Sequence, residues 1–158
     1  MIRQATPTDI AAVAELVMLH SGGVRTDWEA RLRGDLIRPD GSLVVAEDRI
    51  IVGYGRVHRF RTPPDAPGNV APDGYYLVGL VVAPRRREQG IGAAITQARM
   101  TWITDRATEA WYFTNARNER SLRLHQRLGF HEITRDFVFP GVSFDGGVGV
   151  LCRAKLVG

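Results

Sequence analysis

A glycine-bearing, arginine-rich loop between an apolar run and a helical pattern is the part of this chain best suited to chemistry. The apolar run 80–82 stops at Pro84, and the loop that follows holds the arginines 85–87 and then Gly90 and Gly92. Glycine lets a backbone approach a ligand closely, and the first N–H groups of a helix have no partner within that helix. The order strand, loop, helix therefore favours a site for a ligand that carries phosphate.

Two other phosphate-binding motifs are excluded by the residues themselves. The chain contains no Gly-Lys-Ser or Gly-Lys-Thr, so it has no Walker A loop. Gly90 and Gly92 are followed by Ala93 and Ala94 rather than by a third glycine, so the dinucleotide fingerprint is incomplete. The alternative to an anion site is a plain tight connection between a strand and a helix.

Three segments resemble the GNAT family of N-acetyltransferases. Arg87-x-x-Gly90-x-Gly92 after a strand is similar to the family's acyl-CoA-binding motif. The segment 118–130 resembles the family's Asn-x-x-Ala/Ser followed by Gly-Phe, and the segment 2–9 resembles its first strand and helix cap. These segments stand in the family's order and span nearly the whole chain. We therefore expect a single GNAT domain over residues 1–158.

The apolar spacing is typical of an α/β fold with a mixed sheet and helices on both faces. The resemblance implies a GNAT-like acyl-CoA N-acyltransferase fold, with a mostly antiparallel sheet of about six or seven strands. Strands are predicted at 2–5, 43–46, 50–57, 75–82, 110–113, 130–139 and 148–155. Helices are predicted from a cap at Thr8 or Asp9 to 21, over 26–37, over 91–103, and from a cap at Asn118 to Gly129. The proline- and glycine-rich segment 61–74 is predicted to be a functional or mobile loop.

Composition excludes several classes of protein. The chain has 158 residues, 44% of them hydrophobic and 24% charged, which fits one globular domain. It has no apolar run of membrane-spanning length and no signal-peptide pattern, so we expect a cytoplasmic protein without a membrane partner. The single cysteine, Cys152, excludes an internal disulfide and a multi-cysteine zinc site. Because Cys152 lies in a predicted strand, we interpret it as a small apolar residue rather than a nucleophile.

The net charge of +4 comes from arginine, since Lys155 is the only lysine. The charge is spread along the chain, and its densest run, 85–87, lies inside the predicted phosphate loop. A ligand with several phosphates explains that run, so we expect no nucleic-acid partner. His20, His58 and His131 show no metal-ligand spacing; we expect no metal, and surface or packing roles for these histidines.

The resemblance also implies where acetyl-CoA, the expected cosubstrate, binds. Pantetheine would enter a gap between the strands 75–82 and 110–113 and bond to the backbone of Leu80 and Val82 like an added strand. The N–H groups of 87–93 would hold the pyrophosphate. The residues expected to bind the cosubstrate are Leu80, Val82, Arg87, Glu88, Gln89, Gly90, Ile91, Gly92, Ala93, Asn118, Ser121 and His125.

The implied reaction is direct attack of an amine on the thioester. The N–H of Val82 is the expected donor to the tetrahedral oxyanion. His125, where the family often has tyrosine, is the candidate general acid for the leaving thiolate; the alternative is a structural histidine bonded to backbone. Many relatives carry a glutamate on the strand before the loop, but 75–82 contains no carboxylate. No general base is therefore assigned.

We expect the acceptor to be a primary amine of a small molecule, because the loop 61–74 could cover a small pocket. A protein N-terminal or lysine acetyltransferase, which would need an open groove, is the alternative enzyme. A non-catalytic acyl-CoA-binding or sensor protein is the alternative of another class, favoured by the missing carboxylate. Many members of the family dimerise, so a homodimer is possible.

Overall fold

Residues 1–157, the part of the chain that is described, fold into an α/β structure of four helices and a mostly antiparallel sheet of seven strands, as the sequence and its resemblance predict. A computed structural model describes residues 1–157. The strands are β1 (Ile2–Gln4), β2 (Gly41–Asp48), β3 (Ile50–Phe60), β4 (Gly74–Val82), β5 (Glu109–Asn115), β6 (His131–Thr134) and β7 (Gly149–Lys155). The helices are α1 (Ile10–Ser21), α2 (Arg25–Ile37), α3 (Ile91–Thr104) and α4 (Glu119–Arg127). None of the helices in this described part combines the length and apolar character needed to cross a bilayer.

The described residues fall into two compact units. The first comprises Met1–His58 and Leu77–Trp102, and the second comprises Arg59–Tyr76 and the chain from Ile103 onward. In the first unit the strands lie in the order β1, β2, β3, β4. In the second unit β7 lies between β5 and β6 and is antiparallel to both.

Helices cover both faces of the sheet in the first unit. Alternate residues of a strand point to opposite faces. Leu43 and Val45 of β2 pack in one buried cluster with α1 and α2, whereas Val44 and Ala46 pack in another with Ile95 of α3. The prediction of helices on both faces is therefore confirmed within this unit.

The start of α1 differs from the prediction that Thr8 or Asp9 caps it. A short 3-10 turn, Pro7–Asp9, precedes the helix, and the Asp9 side chain makes no cap hydrogen bond to it. The carboxylate turns back instead. It accepts hydrogen bonds from the Thr6 N–H at 2.8 Å and from both terminal nitrogens of Arg3 at 2.8 and 3.0 Å.

The predicted strand 130–139 is wrong beyond Thr134. The β6–β7 register shifts between Glu132 and Thr134, and the Thr134 hydroxyl then accepts a hydrogen bond from the Asp136 N–H at 3.0 Å. This local turn takes the chain out of the ladder. Val138 pairs instead with Val70, in a parallel bridge to the proline-rich loop.

That loop is shorter by one residue than predicted, because β4 begins at Gly74, and it is braced internally. The Thr62 N–H donates to Asp73 Oδ1 at 2.6 Å, which ties the two ends of the loop together. Strand β3 runs on to Phe60 rather than ending at Val57, so His58 lies in a strand.

The carboxylate of Asp9 makes the stability of the fold depend on pH. The hydrogen bond from Arg3 outweighs the opposing effect of burial and lowers the pKa of Asp9 to about 2, from 3.8. A depressed pKa stabilises the fold above the unfolded value, and this contribution is lost as pH falls through the folded value. We expect Asp9→Asn to lower the melting temperature at neutral pH, with the difference from the parent shrinking as pH falls from 4 towards 2.

Thermal melts followed by circular dichroism at a series of pH values check this expectation. The control is Asp65→Asn, at an exposed aspartate of the proline-rich loop, which should leave the melting temperature unchanged. A difference between Asp9→Asn and the parent that stays constant down to pH 2 would contradict the ion-pair explanation.

Candidate active site

The loop between β4 and α3 leaves the first amides of α3 unused by the helix. The first intrahelical bond is from the Ala94 N–H to the Gly90 carbonyl, at 3.0 Å. The amides of residues 91–93 therefore precede the hydrogen-bond ladder of the helix and have no partner within it. The backbone reaches this point through two residues with positive φ, Glu88 at 63° and Gly90 at 81°.

Glycine suits the position of Gly90 for two reasons. A φ of 81° strains any residue with a Cβ. A Cβ built there would meet nothing within 4 Å, so the space over this turn is open. Together with the positive end of the α3 dipole, these features fit an anion at the start of the helix.

The three consecutive arginines of the loop have different partners. Arg86 is tied down, since it donates to Asp48 at 2.8 Å and to Gln89 Oε1 at 3.0 Å. Arg85 and Arg87 are exposed and form no ion pair with any of residues 1–157. The loop therefore carries two uncompensated positive charges beside the unused amides.

The end of β4 presents backbone groups on the edge away from β3. The Ala83 N–H bonds to the Val52 carbonyl of β3 at 2.8 Å. Because successive residues of a strand direct their N–H and C=O groups to opposite edges, the peptide groups of Leu80 and Val82 point away from β3. The Val82 carbonyl accepts from Arg87 Nε at 3.4 Å. An added strand or an oxyanion would approach these residues from that edge.

A pocket of about 190 Å³ lies beside Val82 in the first unit. It lies between the end of α1 and the end of β4, and Arg87 is at its margin. The lining residues are Leu16, Leu19, His20, Val81, Val82, Pro84 and Arg87. No local pattern predicts α1 at this place, because contacts between separate elements leave no signal in the sequence.

The second unit brings Asn118, Ser121 and His125 together on α4. Asn118 caps the helix, as predicted, by accepting a hydrogen bond from the Ser121 N–H at 3.2 Å. The Ser121 hydroxyl is hydrogen-bonded to the Tyr112 hydroxyl. Tyr112, on β5, is a member of this cluster that sequence reasoning missed.

His125 points inward, as the face of its helix predicts, and is 2% exposed. Its ring stacks on Tyr112 with centroids 3.5 Å apart and planes 5° apart. Its Nδ1 lies 2.8 Å from the Ser121 carbonyl. Since a carbonyl only accepts, Nδ1 carries the hydrogen. A hydrogen bond to the backbone is what the structural alternative predicts for His125. The role of His125 as a general acid stays a prediction.

A polar cluster of the first unit was not anticipated from the sequence. Asp35, on α2, accepts a hydrogen bond from Arg56 at 3.0 Å and lies 2.8 Å from Nε2 of His58, both on β3. The sequence predicted only a surface or packing role for His58, and no local pattern links positions 35, 56 and 58.

With this geometry in view, the comparisons with known proteins decide the family. The family model described as the acetyltransferase (GNAT) family matches residues 11–130. The chain belongs to this family. The resemblance seen in the sequence is thereby confirmed, and so is the broad class of acyltransferase.

Solved GNAT structures share the fold over the whole chain. A ribosomal-protein-alanine N-acetyltransferase from Brucella melitensis superposes with a TM-score of 0.76 at 20% identity, covering 99% of each chain. An aminoglycoside 6'-acetyltransferase type Ii gives a TM-score of 0.74 at 15% identity, covering 100% of the present chain and 98% of the aminoglycoside acetyltransferase. A phosphinothricin acetyltransferase from Sinorhizobium meliloti, in complex with acetyl-CoA, gives a TM-score of 0.73 at 18% identity. This match covers 99% of the present chain and 88% of the phosphinothricin acetyltransferase. No curated protein sequence matches the chain significantly. At such identities the likeness is one of fold.

The described residues 1–157 contain no group of three or more His, Cys, Asp or Glu side chains arranged to hold a metal ion. Cys152 lies on β7 and is 5% exposed. Burial raises the pKa of its thiol to about 11. Because the thiolate is the reactive form, this geometry agrees with a packing role rather than a nucleophile.

The reactivity of Cys152 can be measured directly, because it is the only cysteine. We expect no reaction of the native protein with a chromogenic disulfide reagent at pH 8 on the timescale of minutes. One thiol per chain should react after unfolding in guanidinium chloride. Rapid labelling of the native protein would contradict both the burial and the raised pKa.

Proposed function

We propose that this protein transfers the acetyl group of acetyl-CoA to a primary amine of a small molecule, by direct attack in a ternary complex. The observation that carries the proposal is the loop before α3. Its unused helix amides, the open turn at Gly90 and the uncompensated Arg85 and Arg87 are the features that a pyrophosphate requires. We also propose a cytoplasmic location, where acetyl-CoA is available.

The proposed cosubstrate contacts follow the backbone. The amides of 87–93 hold the pyrophosphate, with Ile91 anchoring the helix to the core. The outward peptide groups of Leu80 and Val82 bond to pantetheine as a strand would. Asn118 and Ser121 contribute polar contacts in addition to the helix cap they form.

The transfer itself has three requirements. The amine must be neutral when it attacks, the tetrahedral oxyanion needs a donor, and the thiolate must leave. The Val82 N–H meets the second requirement. His125 is the proposed source of a proton for the third, because a thiolate departs more readily when it is protonated.

The pocket beside Val82 is large enough for a small amine-bearing group. Its volume of about 190 Å³ also fits one lysine side chain or one N-terminal residue, so acceptors of both kinds belong in the test. A test is a panel of acceptors with acetyl-CoA: an aminoglycoside, phosphinothricin, a peptide beginning with alanine and a peptide containing lysine. The readout is release of the CoA thiol together with the mass of the acetylated product.

Each outcome of this panel has a definite meaning. Turnover of small amines supports the proposal, and turnover of peptides alone replaces it with a protein N-terminal or lysine acetyltransferase. Tight acetyl-CoA binding without turnover of any acceptor would favour the non-catalytic sensor.

Gly90→Glu tests the phosphate loop. We expect acetyl-CoA affinity to fall by about 100-fold or more, since a side chain at positive φ distorts the turn and a carboxylate repels the pyrophosphate. Isothermal titration calorimetry measures the affinity. The matched control is Gly34→Glu, at an open glycine on α2, which should bind like the parent. Equal affinity of Gly90→Glu and the parent would remove the loop from the site.

His125→Phe tests the proposed acid. Phenylalanine keeps the ring stacked on Tyr112 but removes both nitrogens. We expect kcat to fall by on the order of 10²-fold, with acetyl-CoA affinity unchanged. A variant with a lower melting temperature and the kcat of the parent would show that His125 is structural.

A further inference from the structure

The pocket beside Val82 carries positive charge without a compensating carboxylate. Among residues 1–157, those that line it include the guanidinium of Arg87 and the imidazole of His20, but no Asp or Glu. Glu15 and Glu88 are next in sequence to lining residues, yet both are exposed and neither lines the pocket. A cleft lined by charge of one sign concentrates ligands of the opposite sign. The pocket therefore favours an acceptor that brings a negative charge.

Arg87 is anchored at one end and available at the other. Its Nε donates to the Val82 carbonyl at 3.4 Å, and its terminal nitrogens have no partner among residues 1–157. The two terminal nitrogens of a guanidinium lie side by side in one plane, which matches the two oxygens of a carboxylate. Arg87 is therefore suited to bind one carboxylate in the pocket.

The same contact places the guanidinium beside the proposed reacting centre. The N–H and C=O groups of one residue in a strand point to the same edge. The Val82 N–H, proposed as the oxyanion donor, and the Val82 carbonyl, which holds Arg87, therefore lie on one edge of β4. An acceptor that binds Arg87 through an anion and attacks the thioester through an amine must carry these two groups only a few atoms apart.

His20 supplies a second hydrogen-bond donor. It lies in the last turn of α1 and lines the pocket, and its ring has no hydrogen-bond partner among residues 1–157. An imidazole has at least one N–H group in either protonation state. His20 can therefore donate to an anion whether it is charged or neutral.

The rest of the lining is apolar. Leu16 and Val81 are buried in the cluster that joins α1 and α2 to the sheet, and Leu19, 73% exposed, lies one turn from Leu16 at the surface. Apolar walls favour an aliphatic group, because contact removes its surface from water. A volume of about 190 Å³ leaves room for one short aliphatic side chain beside the charged group.

This distribution of charge distinguishes among acceptors that fit the pocket by size. The N-terminal residue of a protein has a neutral amide where a free amino acid has its carboxylate, and a lysine side chain has no anionic group near its amine. A polyamine or an aminoglycoside brings further positive charges, which Arg87 repels. A free amino acid carries its carboxylate and its side chain on the same carbon as its amine.

We infer that the acceptor is a free α-amino acid with an aliphatic side chain, selected by Arg87 through its carboxylate. His20 donates to the same carboxylate, and the side chain lies against Leu16 and Val81. The neutral amine forms the C–N bond as the C–S bond breaks, and the proton that the nitrogen loses converts the leaving thiolate to the CoA thiol. This inference rests on the proposed acetyl transfer and names its substrate class.

Three acceptors with the same aliphatic group test the role of the carboxylate: leucine, leucinamide and isopentylamine. Leucinamide lacks the negative charge, and isopentylamine lacks the whole carboxyl group. At saturating acetyl-CoA, we expect kcat/KM for leucine to exceed each of the others by about 10- to 100-fold, because hydrogen bonds between charged groups are the strong ones. Leucinamide has the less basic amine, so amine reactivity alone predicts the opposite order for leucine and leucinamide. The readout is release of the CoA thiol.

Arg87→Gln tests the selecting residue. We expect the leucine-to-leucinamide ratio of kcat/KM to fall by about 10-fold or more, because the charge is lost. Both acceptors use the same cosubstrate, so a change in acetyl-CoA affinity cancels in this ratio. The matched control is Arg85→Gln, at an exposed arginine of the same loop that does not line the pocket; it should keep the ratio of the parent. His20→Phe should lower the ratio, and an unchanged ratio would remove His20 from the site.

The outcomes separate this inference from the proposed function. A parent that acetylates leucinamide or isopentylamine as well as leucine overturns the amino-acid acceptor and leaves the transferase intact. A preference for leucine that survives Arg87→Gln, or that Arg85→Gln abolishes equally, overturns selection by the pocket. Turnover of an aminoglycoside or a peptide, but of no amino acid, overturns the inference too. A parent that acetylates nothing overturns the proposed function, and this inference with it.

Discussion

The proposed chemistry depends on one constraint, which is that the backbone between β4 and α3 must turn without closing the start of the helix. The first helical bond reaches back only to Gly90, and the amides of 91–93 lie outside it. Unused amides are costly when buried and useful when an anion can bind them. The positive φ of Gly90 and the open space above it keep them accessible. The strand edge at Val82 and the charge of Arg87 act at the same place only because this turn brings the helix start beside the strand end.

The arginines of the first unit divide into structural and available groups. Arg56 is paired with Asp35, and Arg99, 1% exposed, donates to the Arg56 carbonyl and to the Thr96 hydroxyl. Arg86 is held by Asp48. Only Arg85 and Arg87, which form no ion pair within residues 1–157, add to the attraction of the loop for an anion. The net charge of the chain is therefore a poor guide to its ligand, whereas the local balance at the loop is informative.

Local patterns predicted most of the fold. Apolar residues at helical spacing located α1 and α3, and proline and glycine located the loops. The prediction of a strand over 130–139 was wrong beyond Thr134. The turn there depends on one side-chain hydrogen bond, and Val138 pairs with Val70, which is distant in sequence. Asp9 was predicted as a cap because the sequence pattern shows the helix that follows it but not the ion pair with Arg3 of β1.

The candidate site also has a part that the sequence could predict and a part that it could not. The phosphate loop is contiguous in sequence, so its glycines and arginines could be recognised as one motif. The pocket beside Val82 is lined by residues of α1 between 16 and 20 and by residues between 81 and 87, which are far apart in the sequence. Without the packing of α1 against β4, no sequence pattern indicates that His20 and Arg87 belong to one site.

The most direct test of the account is a titration of the ¹⁵N-labelled protein with acetyl-CoA and with ADP, followed residue by residue in ¹H–¹⁵N spectra. If the helix start binds the pyrophosphate, the amides of 88–93 shift saturably with both ligands, and those of Leu80 and Val82 shift only with acetyl-CoA, which alone carries pantetheine. Saturable binding that leaves the amides of 88–93 unchanged would contradict the account.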